Sequence, residues 1–61
     1  MQVDRIIRDE ECEYLSGLSR TTRWRRMKEG RFPKTYRLSD NAVGWKLSEV
    51  LAWVAEREVA R

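Results

Sequence analysis

The segment "GLSRTTRWRRMKEGRFPK", Gly17 to Lys34, organises the rest of this 61-residue chain. Gly17 tolerates a positive φ, which suits the left-handed C-terminal cap of a preceding helix. Ser19 can accept an N–H bond from two or three residues ahead, so it predicts the N-cap of a second helix. That helix runs from Arg20 to about Glu29. Gly30 ends it, and Pro33 lacks the N–H needed to continue it. Two short helices joined by a tight turn that carries Gly17 and the apolar plug Leu18 form a helix-turn-helix arrangement.

The first helix follows from the residues upstream. Asp9 is a suitable N-cap, and Glu10 and Glu11 then favour the positive end of the helix dipole. Cys12 and Leu15 give a narrow apolar face. The acids Asp9, Glu10, Glu11 and Glu13 are better explained as a solvated helix start than as a metal site. Ile6 and Ile7 predict a brief extended segment at the edge of the core.

Downstream, Tyr36 and Leu38 alternate with Thr35 and Arg37, the period of a strand. Ser39, Asp40 and Asn41 have turn chemistry. Val43 to Trp45 predict the returning strand, with Gly44 permitting a bulge or a close approach. The last element is a helix capped by Ser48 and extending to about Arg61. Leu47, Val50, Leu51 and Val54 form its apolar stripe. Trp53 lies off the centre of that stripe, either as a flank of the core or as an anchor for a second subunit. Trp24 and Trp45 are expected to pack in the core. Helix, turn, helix, hairpin, helix is the order of a winged helix-turn-helix domain. It is mainly α, with three helices and a two-stranded hairpin as the wing.

Bulk properties restrict the function. This length allows a single domain, residues 1–61, and such a domain buries only about 60% of its unfolded surface. The chain has one cysteine and no histidine. An internal disulfide and a classical zinc finger are therefore both excluded. No cluster pairs a nucleophile with a base, so an enzyme is not expected, nor is a cofactor. Neither a spanning segment nor a signal-peptide pattern is evident, which predicts a cytoplasmic, nucleoid-associated protein without a membrane partner.

The net charge is +3, but it is unevenly distributed. Arg20 to Lys46 carry nine basic and two acidic side chains, a balance of +7. The flanking segments are mildly acidic. Focused charge of this kind favours a polyanionic partner, here double-stranded DNA. At about 100° per residue, Thr22, Arg25, Arg26 and Glu29 share one side of the second helix. Trp24 and Met27 share the other, with Arg20 between them and Arg23 and Lys28 at the flanks. Arg25 can reach a guanine edge with two parallel hydrogen bonds, and the methyl of Thr21 or Thr22 can meet a thymine methyl. Ser19, with the helix N-terminal amides, suits a phosphate. Arg26, Lys28, Arg31 and Lys34 suit phosphates too, while Arg37, Ser39 and Asn41 place the wing against the backbone or the minor groove.

From about Ile6 to Arg57 the chain resembles the AlpA family of prophage regulators, through "GLSRTTRWRRMKEGRFPK", then "AVGW", then "SEVLAWVAER". These proteins are related to the excisionase and MerR-type winged-helix proteins. The resemblance implies a small transcriptional activator carried by a prophage or genomic island, acting on integrase or excisionase expression. The alternative is an architectural excision factor, a recombination directionality factor. It also implies that Arg20, Thr21, Thr22 and Arg25 read the major groove. A protein-interaction module, such as an anti-repressor, is the rival of a different class. One such module covers little DNA, which predicts a homodimer or cooperative tandem copies. The chain departs from the family pattern at Arg23 and Arg26, where aliphatic residues are usual. Either the second helix rotates to bury Trp24 and Met27, or arginine stems run along the core edge.

Overall fold

The computed structural model describes residues 4–57. Six elements follow one another: β1 (Ile6–Ile7), α1 (Asp9–Ser16), α2 (Arg20–Lys28), β2 (Tyr36–Ser39), β3 (Ala42–Lys46) and α3 (Leu47–Ala55). The architecture is a winged helix-turn-helix. Its sheet has three strands rather than the expected two, in the order β1-β3-β2. Ile6 and Ile7 pair antiparallel with Lys46 and Trp45, so the short N-terminal segment joins the wing as a strand.

Local signals set most boundaries. Gly17 caps α1 at φ 74°, and its N–H donates to the carbonyl of Glu13. Gly30 follows α2 at φ 75°. These are left-handed conformations in which a Cβ is strained. Ser19 is the N-cap of α2, accepting the Thr22 N–H at 3.3 Å. The hairpin turns at Asp40 and Asn41, and one extra residue on β2 shifts the register between Arg37 and Ser39. The irregularity thus lies on β2, and Gly44 serves the close approach. A Cβ at Gly44 would stand 2.7 Å from the Ile7 carbonyl oxygen.

Three helix boundaries differ from expectation. Asp9 is the first residue of α1 rather than its cap; Arg8 occupies the cap position and makes no side-chain capping bond. Ser48 is likewise inside α3. The Asp4 carboxylate accepts its N–H at 3.1 Å and its hydroxyl at 2.7 Å, supplying that helix start from the other end of the chain. Finally, α3 ends at Ala55, short of Arg61, which lies outside the described residues.

The core consists of Ile7, Cys12, Phe32, Trp45, Val50 and Trp53, with Leu15, Leu18, Trp24, Met27 and Leu47 packed against it. The inward stripe of α3 is therefore Val50 and Trp53. Leu51 and Val54, expected inside, are 47% and 37% exposed. Burial of Trp53 removes it as an anchor for a second subunit. Its large ring wins the interior because it meets Phe32 edge-on, with centroids 4.9 Å apart. Phe32 also meets Trp45 edge-on. The Trp53 indole N–H donates to the Arg31 carbonyl at 2.8 Å, and that of Trp45 to the Pro33 carbonyl at 3.1 Å. Two indoles thus staple the 31–35 connection to the core. Aromatic pairs of this geometry contribute about 0.5–1.5 kcal/mol beyond their buried area.

Candidate nucleic-acid interface

The inner and outer sides of α2 are set by Arg23. Its side chain is fully buried, although it is charged. Its guanidinium donates to the Asp9 carboxylate and to the Leu18 carbonyl, the latter at 2.6 Å. Glu13 lies 3.9 Å away, and the Trp45 ring centroid 5.6 Å from the guanidinium carbon. Arg23 therefore takes the inward place where the family usually has an aliphatic residue, because α1 and the turn supply acceptors for its guanidinium. Asp9, the expected cap of α1, is the principal acceptor. Buried charges survive only when paired and hydrogen-bonded.

With Arg23 inward, helical spacing turns Thr21, Arg25 and Lys28 outward, and all three are exposed. Thr22 and Arg26, expected on the most exposed side, are only half-exposed. Arg26 leans toward the groove that contains Phe32, Pro33 and Trp53, with its Nε buried and without a hydrogen-bond partner among the described residues. Trp24 and Met27 are half-buried against the core. The Trp24 ring meets Trp45 edge-on at 6.1 Å between centroids. Ser19 and Thr22 are linked at 3.0 Å between hydroxyl oxygens, so both belong to the helix cap.

Arg20, Thr21, Trp24, Arg25 and Lys28 line one shallow open groove along α2. A second, between α2 and the hairpin, is lined by residues that include Arg8, Arg20, Trp24 and Asn41. Arg31 and Lys34 are exposed on the connection after α2, and Arg37, Ser39 and Asn41 on the hairpin. Several acids are matched by arginines. Asp9 and Glu13 face Arg23, and Glu11 pairs with Arg5. Glu29 lies 3.6 Å from Arg31. Among the described residues Arg20, Arg25, Lys28, Lys34 and Arg37 have no ion pair. Positive charge is thus left unneutralised along α2, the following connection and the wing, where it raises the local potential.

Contacts and burial perturb several titratable groups. Hydrogen bonds from the Ser48 side chain and backbone hold the Asp4 carboxyl below its ordinary value. The Arg5 guanidinium does the same for Glu11. Burial pushes the Cys12 thiol up to about 11, so it remains protonated and inert at neutral pH.

Two contributors escaped the sequence reading. Phe32 positions Arg31 and Lys34 through its edge-on contacts with two tryptophans; an aromatic between Gly30 and Pro33 was the available signal. Arg8 reaches the α2–hairpin groove only through the fold, and no local pattern marks it. No helix among the described residues is long and apolar enough to cross a membrane.

The model of the family described as prophage CP4-57 regulatory protein (AlpA) matches residues 5–58. A protein of Enterobacteria phage P4, described as uncharacterized protein ORF88, is 40% identical over 58 residues. That match covers 95% of this chain and 66% of the phage protein, so the chain spans just under two thirds of its relative's length. No solved structure matches the chain. With its helix-turn-helix, connection and wing all inside the matched residues, the chain belongs to the AlpA family of prophage regulatory proteins.

Proposed function

We propose that the protein binds double-stranded DNA sequence-specifically and regulates genes of a prophage or genomic island, as an activator of integrase or excision functions. The observation that carries this reading is the outward side of α2. Thr21, Arg25 and Lys28 project from it, exposed, and neither cation has an ion-pair partner among the described residues. A major groove about 12 Å wide admits a helix of this kind. Arg25, at the middle of the exposed side, reads a guanine edge, and the Thr21 methyl meets a thymine. Arg20 and Lys28 flank them, Arg31 and Lys34 neutralise phosphates, and Arg37, Ser39 and Asn41 bring the wing to the adjacent backbone. Thr22 and Arg26 contribute from the edge of the contact. A single module buries only about 600–1,000 Å² of protein surface on DNA, which favours two or more copies on repeated sites.

Titration of a fluorescent duplex at rising salt tests this directly. With about six phosphate contacts, log K falls against log salt with a slope of about −5. No binding even at low salt would replace this reading with that of a protein-interaction module. A footprint on the DNA flanking the coding region then separates an activator, which protects a promoter-proximal site, from an architectural excision factor, which protects a recombination site.

A further inference from the structure

The groove between α2 and the hairpin has a floor and a rim of different chemistry. Half-buried Trp24 and exposed Val43 form the floor, with the buried Trp45 backing Trp24 edge-on at an interplanar angle of 61°. The rim draws on three separate elements: Arg20 from α2, Asn41 from the hairpin turn, and Arg8 from the residue preceding α1. Arg8 and Arg20 are both exposed, and neither has an ion pair among the described residues. Two acids share the rim. Asp9 is committed to Arg23, while Glu10 is exposed with no cationic partner among the described residues.

A duplex that takes α2 into its major groove and the hairpin against its minor groove must pass one sugar–phosphate strand between the two elements. Such a strand has apolar sugar faces and anionic phosphates, which suit an apolar floor and a cationic rim. We propose that this groove seats that strand, with Arg8 as a further phosphate ligand and Glu10 as an opposing carboxylate that lowers the affinity. The proposal rests on the DNA-binding reading above. Arg8 stands on a different element from α2, so its contact fixes the tilt of the domain on the duplex. A phosphate contact positions the protein without reading sequence. Glu10 acts through like-charge repulsion of the same phosphate.

The test compares the full chain with Arg8→Ala, Arg8→Lys and Glu10→Gln on a random-sequence duplex across a salt series. Circular dichroism checks that each variant is folded. Arg8→Ala should reduce the steepness of the log K–log salt plot by about 0.9, the signature of one lost phosphate contact. Arg8→Lys should restore it. Glu10→Gln should tighten binding at low salt and converge with the unaltered chain at high salt. If Arg8→Ala leaves both affinity and slope unchanged while Arg20→Ala weakens binding, the groove is not the seat, and the DNA-binding reading stands without it. If the unaltered chain fails to bind any duplex at the lowest salt, that reading falls and this proposal with it. Equal dependence on Arg8 for single-stranded DNA would also overturn the seat, since a single strand has no pair of grooves to straddle.

Discussion

Arg23 and Arg25 stand two residues apart on the same helix and meet opposite environments. Arg23 is fully buried, with the Asp9 carboxylate, the Leu18 carbonyl and the Trp45 ring around it. Arg25 is exposed and has no ion pair among the described residues. The side chains are chemically identical. What separates them is the presence of acceptors within the interior and a rotation of roughly 200° about the helix axis. A basic segment is therefore not one functional unit. Part of its charge is consumed in joining α1 to α2, and only the remainder is available to an anionic partner.

The contrast can be broken most forcefully at the inner arginine. Arg23→Ala removes a buried cation and leaves Asp9 without its partner. Breaking a buried pair costs about 3–5 kcal/mol, and the low end applies here because Asp9 retains 45% of its exposure. Chemical denaturation should show a large loss of stability. Arg23→Met, which keeps most of the volume and discards the charge, should recover only the packing share of that loss, because Asp9 and the Leu18 carbonyl stay without their donor. Next in size, Arg25→Ala should remove about 1–3 kcal/mol of discrimination between specific and random duplex, measured by competition binding. Its thermal unfolding should stay within about 0.5 kcal/mol of the unaltered chain. Equal losses on specific and random DNA would instead assign Arg25 to a phosphate.

Smaller effects sharpen the boundary between the two sides. Ser19→Ala removes the α2 cap and should cost about 1 kcal/mol, read by denaturation. Cys12, beside the inner arginine, should resist alkylation at pH 8 in the folded protein and react once denatured, because burial raises its pKa to about 11. The weakest handle is pH. Asp4 and Glu11 are held below their ordinary values of 3.8 and 4.5 by Ser48 and Arg5 respectively. A carboxyl with a depressed folded pKa stabilises the fold above its unfolded pKa and loses that contribution as pH falls through the folded value. Stability should therefore decline modestly below about pH 4, and Asp4→Asn should flatten that decline.

Much of the fold was legible because its signals are short-range. Gly17, Ser19 and Gly30 mark helix ends through backbone geometry and hydrogen bonds reaching no more than four residues, and each stands where expected. The hairpin follows from alternation and turn chemistry within a dozen positions. The unpaired cations at Arg20, Arg25, Lys28, Lys34 and Arg37 were likewise visible as composition. The misread points all depend on distant partners. Helical spacing alone allowed either Trp24 or Arg23 to turn inward, and the choice fell to Arg23 because Asp9, 14 residues away, could neutralise it. The α3 stripe suggested Leu51 and Val54. Trp53 displaced them because Phe32 and the Arg31 carbonyl, 22 residues upstream, receive its ring and its N–H.

Element types, their order and the excess of cations in the middle of the chain were therefore settled by neighbours along the backbone, where caps, turns and periodicity act. Which arginine is interior, which tryptophan closes the core, and which carboxylate begins α3 were settled only once the chain had closed on itself. Asp4 caps from 44 residues away. Burying a charge or a large ring depends on acceptors and surfaces supplied by other elements, and these come together only in the folded molecule.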